Sequence, residues 1–230
     1  MIKNILIQFA KGVVRKTNKI SWHNLRSIQP VSTDFGFTRG IPVDRYYIEK
    51  FLEENKSYIQ GRVLEVADST YSKKFNSGVE KFEIFSTGGE NVKATVTGDL
   101  TNPSSLPENM IDCFICTQTF NFIYDVKKAI EGSFKLLKPG GVILCTVAGL
   151  CQVSRYDMDR WGDYWRFTDL SIRKMFSEVF GEQNVELSIF GNVLSATALL
   201  QGISSEELKT EELNFNDRNY QVVISVVAKK

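Results

Sequence analysis

Short apolar runs alternate along the chain with segments whose apolar residues recur at helical spacing. The apolar, β-prone runs predict strands, and they lie at 62–66, 81–85, 94–97, 111–117, 142–147, 185–190 and 222–228. The helical spacing predicts helices over 44–59, over 126–137, after an N-cap at Thr168, and over 192–200. Strands that alternate with helices indicate an α/β domain with a mostly parallel sheet, and the closely spaced last strands allow one antiparallel pair.

Two connecting segments carry distinct signals. Lys138, Pro139, Gly140 and Gly141 predict that a helix stops and the chain turns into the next strand. The acidic stretch 204–217 is expected to be solvated.

The N-terminal segment differs from the rest in charge. Its first 33 residues contain basic side chains but no acidic one, and apolar residues from Ile2 to Val14 recur at helical intervals. We expect an amphipathic helix that packs on the body or on a partner, or that makes weak contact with anionic lipid through residues 1–30. The chain is therefore divided into a basic appendage and cap over 1–43 and a domain over 44–230.

Composition narrows the function classes. Lys and Arg total 28 against 27 Asp and Glu, so no overall positive field favours nucleic acid as a partner. Hydrophobic residues make up 43% of the chain, which is enough for a sizeable core. No apolar run reaches the length of a membrane span, so we expect a cytoplasmic protein, with contact at the inner face of the membrane as the alternative.

The cysteines do not indicate a metal site. Cys113 and Cys116 have CxxC spacing, but they lie in a strand-like run, where residues three apart face opposite sides of a sheet. Cys145 lies in a similar run and is expected in the core. The single histidine, His23, rules out a zinc site of several imidazoles in one chain, and no metal is predicted.

Candidate chemistry follows the ends of the strands, where a parallel sheet binds ligands. Asp99 is placed to accept a hydrogen bond from an amino group such as that of adenine, and Glu65 is placed to fix its loop or a cationic ligand. The structural alternative for Asp99 and for Glu65 is a carboxylate that caps a turn. No glycine-rich phosphate loop follows the first strand, and Asp68 would repel a pyrophosphate, so a nucleoside without phosphates is expected.

Two polar and aromatic stretches, 35–47 and 155–168, could recognise a carbohydrate. Aromatic faces that stack on sugar C–H groups, with carboxylates and guanidinium groups that bond to hydroxyls, are typical of carbohydrate recognition. The alternatives are an ordered linker for the first stretch and a lid stapled by ion pairs for the second.

Several of these motifs together resemble the class I S-adenosylmethionine-dependent methyltransferases, specifically the methyltransferase type 11 group that is encoded in bacteria beside glycosyltransferases for surface polysaccharides. The resemblance covers nearly the whole chain, and its motifs are 39–47, 61–66, 98–100, 136–141 and 155–168. It implies a Rossmann-like, seven-stranded, mostly parallel sheet with an antiparallel last strand and helices on both faces. The glycines usual after Glu65 are replaced by Ala67, Ser69 and Tyr71, and Phe85-Ser86-Thr87 stands where an acidic residue normally holds the ribose.

The resemblance also assigns site residues. The cofactor is expected at Glu65, Ala67, Asp68, Asp99, Leu100, Gln118 and Thr119. The acceptor is expected at Arg39, Asp44, Arg45, Tyr46, Arg155, Tyr156, Arg160, Trp161, Trp165 and Arg166.

Methyl transfer needs mainly alignment and exclusion of water, and a base helps. We expect Asp163, Asp159 or Asp157 to accept the hydroxyl proton, with Asp163 favoured, if burial against Trp161 or Trp165 raises its pKa. His23 is an outside candidate.

The sequence thus predicts a sugar O-methyltransferase that acts on a surface glycan or its precursor, with a glycosyltransferase as a potential partner. The rival hypothesis is a methyltransferase-like binding or scaffolding protein without catalysis.

Overall fold

The computed structural model describes residues 26–88 and 91–230. The predicted amphipathic helix and His23 lie outside the described residues. The strands are β1 (Gly61–Val66), β2 (Val79–Ser86), β3 (Val96–Thr97), β4 (Ile111–Thr117), β5 (Leu137–Ala148), β6 (Val185–Phe190) and β7 (Val223–Lys229). The α-helices are α1 (Val43–Glu54), α2 (Thr70–Lys74), α3 (Val126–Leu136), α4 (Arg155–Met158), α5 (Asp169–Phe180), α6 (Val193–Gln201) and α7 (Thr210–Asn214).

The strands form one seven-stranded sheet in the order β3-β2-β1-β4-β5-β7-β6. Pairing is parallel from β3 through β5, and β7 runs antiparallel to both of its neighbours, β5 and β6. The predicted fold class is confirmed. Chain order reverses between β1 and β4, and this is the point at which an open α/β sheet leaves a crevice at the carboxyl ends of its strands.

Two apolar layers flank the sheet. On one face, Ile130 of α3 and Phe176 of α5 pack over Phe114 and Ile143. On the other face, α1, α2 and α6 contribute a second cluster that includes Tyr47, Tyr71 and Leu199. Cys113 belongs to the second cluster and Cys116 to the first, so the two thiols face opposite sides of the sheet as predicted.

Capping residues fix where the helices begin. The Thr168 side chain accepts the backbone N–H of Ser171 at 3.2 Å, which confirms the predicted N-cap of α5. Asn192 caps α6 by accepting the N–H groups of Leu194 and Ser195. These bonds satisfy backbone donors that the first turn of a helix leaves unpaired.

Two connecting segments differ in part from their predictions. The helix α3 stops at Leu136 as predicted, but β5 already begins at Leu137. Residues 138–141 form an irregularity within β5, where the register against β4 shifts and Gly140 has φ of 81°, and Lys138 and Gly140 are held by Asp112 and the carbonyl of Lys230. The acidic stretch 204–217 is only partly solvated. It contains α7, whose Leu213 is buried and accepts the Tyr47 hydroxyl at 3.0 Å.

Residues 31–42, the N-terminal strap, run across the sequence-distant segment that follows α6. The Ser32 N–H donates to Gln201 O at 3.0 Å, and the Ser205 N–H donates to Ile41 O at 2.8 Å. Arg39 forms an ion pair with Glu207. Residues 31–230 form one compact unit, which includes the strap.

Within residues 26–88 and 91–230, no helix has the length and apolar character needed to cross a membrane.

Two residues of α5 test which face of this helix packs on the core. Phe176 is fully buried against Phe120, whereas Leu170 is 73% exposed. We expect Phe176→Ala to lower the free energy of unfolding by about 3–5 kcal/mol, because it removes apolar contact and leaves a cavity. Leu170→Ala should change it by less than about 0.5 kcal/mol. Urea denaturation of both variants measures the difference, and equal losses would contradict the assigned orientation of α5.

Candidate functional site

A cavity of about 320 Å³ lies where the ends of β4 and β5 meet α1, the start of α2 and the strap. Its volume is at the lower end of the range for small-molecule sites. It is lined by Phe35, Phe37, Asp44, Arg45, Ile48, Tyr71, Thr117, Gln118, Asn121, Phe122, Ala148, Cys151, Gln152, Ser154, Asp157, Asp163 and Arg166.

Glu65 organises the loop after β1. Its buried carboxylate accepts the backbone N–H of Tyr71 at 3.0 Å and that of Ser72 at 2.8 Å, and so ties the strand end to the first turn of α2. Burial raises the pKa of Glu65, while these two donors oppose the rise. Of the two roles considered for Glu65, its contacts support that of fixing the loop.

The same loop makes its turn without glycine. Ala67 has φ of 69°, a left-handed conformation that costs a residue with a side chain about 1–2 kcal/mol. The backbone on both sides of the peptide is held, since the Ala67 N–H donates to Phe85 O and its carbonyl accepts the Asn91 amide. Replacing the usual glycine therefore preserves the turn.

Asn121 joins three segments around the cavity. Its side-chain amide donates to Gln118 Oε1 at 2.8 Å, and its Oδ1 accepts the N–H of Ala148 at 3.1 Å. Its carbonyl accepts the N–H groups of Tyr164 and Trp165. One buried residue thus links the ends of β4 and β5 to the segment between β5 and α5.

The segment 149–167, which we call the cap loop, is closed by an ion pair. Arg166 Nη1 donates to Asp163 Oδ1 at 2.6 Å, and Nη2 donates to Oδ2 at 2.8 Å. The same carboxylate accepts the N–H of Ser154, and Arg166 also donates to the carbonyl of Gln152. Both charges therefore serve to fold the cap loop onto the cavity.

This pairing reverses the expected pKa direction of Asp163. Burial by itself raises the pKa, but the guanidinium of Arg166 and the Ser154 N–H outweigh it, and the pKa lies below its ordinary value. Neither Trp161 nor Trp165 contributes to the shift. The Asp163 side chain is also only 1% exposed, so it offers little surface to a ligand.

Asp44 also lines the cavity, but unlike Asp163 it is not paired with a guanidinium group of the described residues. It lies in the first turn of α1, and its Oδ1 accepts the backbone N–H of Arg45 at 2.8 Å. Among the described residues it forms no ion pair, since the Arg45 guanidinium lies over the ring of Phe37, 5.2 Å from its centroid. Burial raises the pKa of Asp44, and Arg45 opposes the rise only partly.

Aromatic side chains of the cap loop and of the loop after β4 are exposed. Tyr124 is 71% exposed, and its ring centroid lies 5.5 Å from that of Tyr164 and 5.9 Å from that of Trp165. The Trp165 indole N–H donates to the carbonyls of Ile123 and Tyr124, which fixes its ring. We call Tyr124, Tyr164 and Trp165 the aromatic cluster.

Some predicted acceptor residues do not line the cavity. Arg39 pairs with Glu207, and the Tyr46 hydroxyl donates to Asn214. Arg155 pairs with Asp159 on the exposed face of α4 at 3.1 Å. Arg160 lies over the Tyr156 ring, 3.4 Å from its centroid, and Tyr156 packs edge-to-face on Trp161.

The predicted cofactor residues occupy different environments. Gln118 lines the cavity, and the neighbouring Thr119 hydroxyl donates to Thr117 O. Leu100 is buried in the core. The exposed Asp99 accepts the N–H and hydroxyl of Thr101, so it caps a turn, as the alternative interpretation of Asp99 proposed. Asp68 accepts the N–H of Thr70.

The structure adds cavity residues that sequence reasoning did not single out. Phe35 and Phe37 come from the strap, Ile48 from α1, Tyr71 from α2 and Asn121 from the loop after β4. Signals existed for some of them: both phenylalanines lie in the aromatic stretch 35–47, and Asn121 follows a strand end. Nothing local marks Ile48, because its spacing on α1 is that of an ordinary core residue.

Comparison with known proteins gives the fold a context. Residues 61–145 match a family model described as a methyltransferase domain. Among curated proteins, none matches the sequence.

Solved structures show the same fold. An S-adenosylmethionine-dependent methyltransferase from Archaeoglobus fulgidus has a TM-score of 0.53 at 13% identity, over 81% of this chain and 94% of that one. One from Mesorhizobium loti has a TM-score of 0.50 at 12% identity, over 82% and 98%. The [4+2]-cyclase SpnF has a TM-score of 0.52 at 15% identity, over 89% and 87%. Because a cyclase is among them, the fold alone does not decide the reaction.

The residues present fit S-adenosylmethionine, the cofactor that the matched domain implies. This molecule carries positive charge on its sulfonium and ammonium groups, and the cavity offers the Asp157 carboxylate, which forms no ion pair among the described residues. The residues that would hold the cofactor are the β1 loop at 67–69, Gln118, and Asp99 through the carboxylate oxygen that Thr101 leaves free.

The Asp163–Arg166 pair predicts a pH-dependent stability. Asp163→Asn should lower the free energy of unfolding by about 2 kcal/mol at pH 7, because it removes charge-assisted hydrogen bonds inside the cap loop. Since the folded-state pKa is lowered, the stabilisation is complete above the unfolded value of about 4 and is lost as the pH falls through the folded value. The gap between wild type and variant should therefore narrow below about pH 4.

Urea denaturation at pH 7, 5 and 3.5 measures that gap. Asp159→Asn is the matched control, because its pair with Arg155 is exposed and should contribute less than about 0.5 kcal/mol. A gap that widens in acid would contradict the assignment.

The left-handed conformation of Ala67 predicts that two substitutions affect the free energy of unfolding differently. Ala67→Gly should leave the free energy of unfolding within about 1 kcal/mol of wild type, since relief of strain offsets the greater freedom of the unfolded chain. Ala67→Val should lower it by more than about 1 kcal/mol, because a β-branched residue resists this conformation. Thermal unfolding of both variants tests this, and a valine variant as stable as the glycine variant would contradict it.

Proposed function

We propose that the chain is an S-adenosylmethionine-dependent methyltransferase and that it methylates a sugar hydroxyl of a cell-surface glycan or of its precursor. The observation that carries this proposal is the aromatic cluster on the loops that border the cavity. Fixed, exposed aromatic rings offer flat apolar faces to the C–H groups of a sugar, while the carboxylates of the cavity accept hydrogen bonds from its hydroxyls.

Three guanidinium groups on the cap loop are already engaged. Arg166 is neutralised by Asp163, and Arg155 by Asp159. Arg160 is engaged by the Tyr156 ring and the Tyr156 carbonyl. These three guanidinium groups are therefore poorly placed to bind the phosphate or carboxylate of an anionic sugar.

When bound, S-adenosylmethionine supplies a methyl group activated by the positive charge of its sulfur. The chain then has to align the acceptor oxygen and exclude water. Asn121 and the Asp163–Arg166 pair serve this purpose, because they hold the cap loop against the ends of β4 and β5. Asp163 acts in this proposal as a positioning residue.

The proposed setting remains a prediction. The expected contact with a membrane surface or a glycosyltransferase depends on residues 1–30, most of which lie outside the described residues.

The acceptor class can be tested with a defined panel. Purified protein should bind S-adenosylmethionine in calorimetry and release S-adenosylhomocysteine when given methyl glycosides, nucleotide sugars or short oligosaccharides. Tyr124→Ala should raise KM roughly three- to tenfold by removing one stacking face. Phe215→Ala, which removes an exposed aromatic ring that does not line the cavity, is the control.

Two results would count against the proposal. Cofactor binding without methylation of any sugar in the panel would remove the glycan acceptor. Failure to bind the cofactor, in protein shown to be folded by circular dichroism, would favour a non-catalytic role.

A further inference from the structure

The cavity contains more titratable side chains than the positioning of the cap loop requires. They are Asp44, Arg45, Tyr71, Cys151, Asp157, Asp163 and Arg166. Sorting them by their existing partners shows which of them is available for proton transfer.

Two of the groups are held neutral. Burial raises the pKa of Tyr71 to about 12 and that of Cys151 to about 11. Near pH 7 neither is a thiolate or a phenolate, so neither can take a proton from an acceptor hydroxyl.

Two carboxylates are committed to the cap loop. Asp163 accepts Arg166 through both oxygens and also accepts the Ser154 N–H. Asp157 accepts the Ser154 hydroxyl at 2.6 Å, within the turn that begins α4. Proton transfer to either would weaken bonds that hold the cap loop in place.

Asp44 has no such commitment. Among the described residues no side chain donates a hydrogen bond to it, and its carboxylate is held by the backbone of its own helix turn. It lines the same cavity as Tyr71 of α2, which follows the β1 loop, and Cys151 of the cap loop. It therefore borders the same space as the segment that would hold the donor and the segment that closes over the acceptor.

We propose that Asp44 is the catalytic residue that accepts the proton of the acceptor hydroxyl; this rests on the proposed function. The hydroxyl oxygen forms a bond to the methyl carbon, and the bond from that carbon to sulfur breaks with its electron pair remaining on sulfur. The hydroxyl proton passes to an Asp44 oxygen and then to solvent. Sequence reasoning had placed Asp44 only among the residues that bind the acceptor.

The surroundings of Asp44 suit this role. Burial raises its pKa, which makes the carboxylate a stronger proton acceptor, and Arg45 opposes the shift. The other groups that face it, Tyr71 and Cys151, are neutral, and the Asp163–Arg166 pair has no net charge. An ionised Asp44 is therefore required for turnover, and activity should fall as the pH drops through its pKa.

Asp44→Asn is the central test, since it preserves shape and removes the charge. With the panel sugar methylated fastest, we expect kcat to fall by about 100-fold or more, with the calorimetric Kd for S-adenosylmethionine changed less than about threefold. The acidic limb of the pH–rate profile should disappear. Glu49→Gln is the control, because it removes a carboxylate of the same helix that pairs with Lys74 outside the cavity, and it should retain wild-type kcat.

Three outcomes would overturn the proposal: an Asp44→Asn enzyme with wild-type kcat, an Asp44→Asn enzyme that loses cofactor binding, or an Asp157→Asn enzyme that alone loses the acidic limb. A direct titration separates this proposal from the proposed function if no panel sugar is methylated. In the complex with S-adenosylhomocysteine, the carboxyl carbon of Asp44, assigned by its absence in Asp44→Asn, should titrate by NMR above the ordinary aspartate value. A titration at or below that value would reject Asp44 as the base whatever the acceptor.

Discussion

The parallel pairing of β1, β4 and β5 is the constraint on which the site depends. Because these strands point the same way, the loops that follow them meet at one edge of the sheet, although their sequences lie far apart. The reversal of chain order between β1 and β4 opens the crevice there. Helices α1 and α2 and the strap close it from the second face of the sheet.

Hydrogen bonds to buried polar groups convert that crevice into a shaped cavity. Glu65 holds the loop after β1, Asn121 ties the ends of β4 and β5 together, and the Asp163–Arg166 pair folds the cap loop. Each of these side chains is hydrogen-bonded to backbone groups or to a partner side chain, as buried polar groups usually are. The loops of the site are therefore fixed by these hydrogen bonds, and few polar groups of the cavity are left without a partner.

These hydrogen bonds distinguish the carboxylates that position the cap loop from one that can accept a proton. A carboxylate bound to a guanidinium is a weak proton acceptor, whereas one that is half-buried without a cationic partner is a better one. Asp163 and Asp44 border the same cavity, and their pKa values shift in opposite directions because of this difference. The sequence could not rank them, because the ranking depends on which carboxylate Arg166 reaches.

Local periodicity by itself determined much about this protein: the strands β4 and β6, the N-cap of α5, the opposite faces of Cys113 and Cys116, and the α/β class with its crevice at the strand ends. These features follow from the spacing of side chains within one helix or strand, and that spacing can be read from neighbouring residues of the sequence. The extended start of β5, the half-buried acidic stretch over α7, and the commitment of Asp163 to Arg166 while Asp44 stays uncommitted required the tertiary structure. Each depends on contacts or burial supplied by other parts of the fold, and no local pattern encodes those.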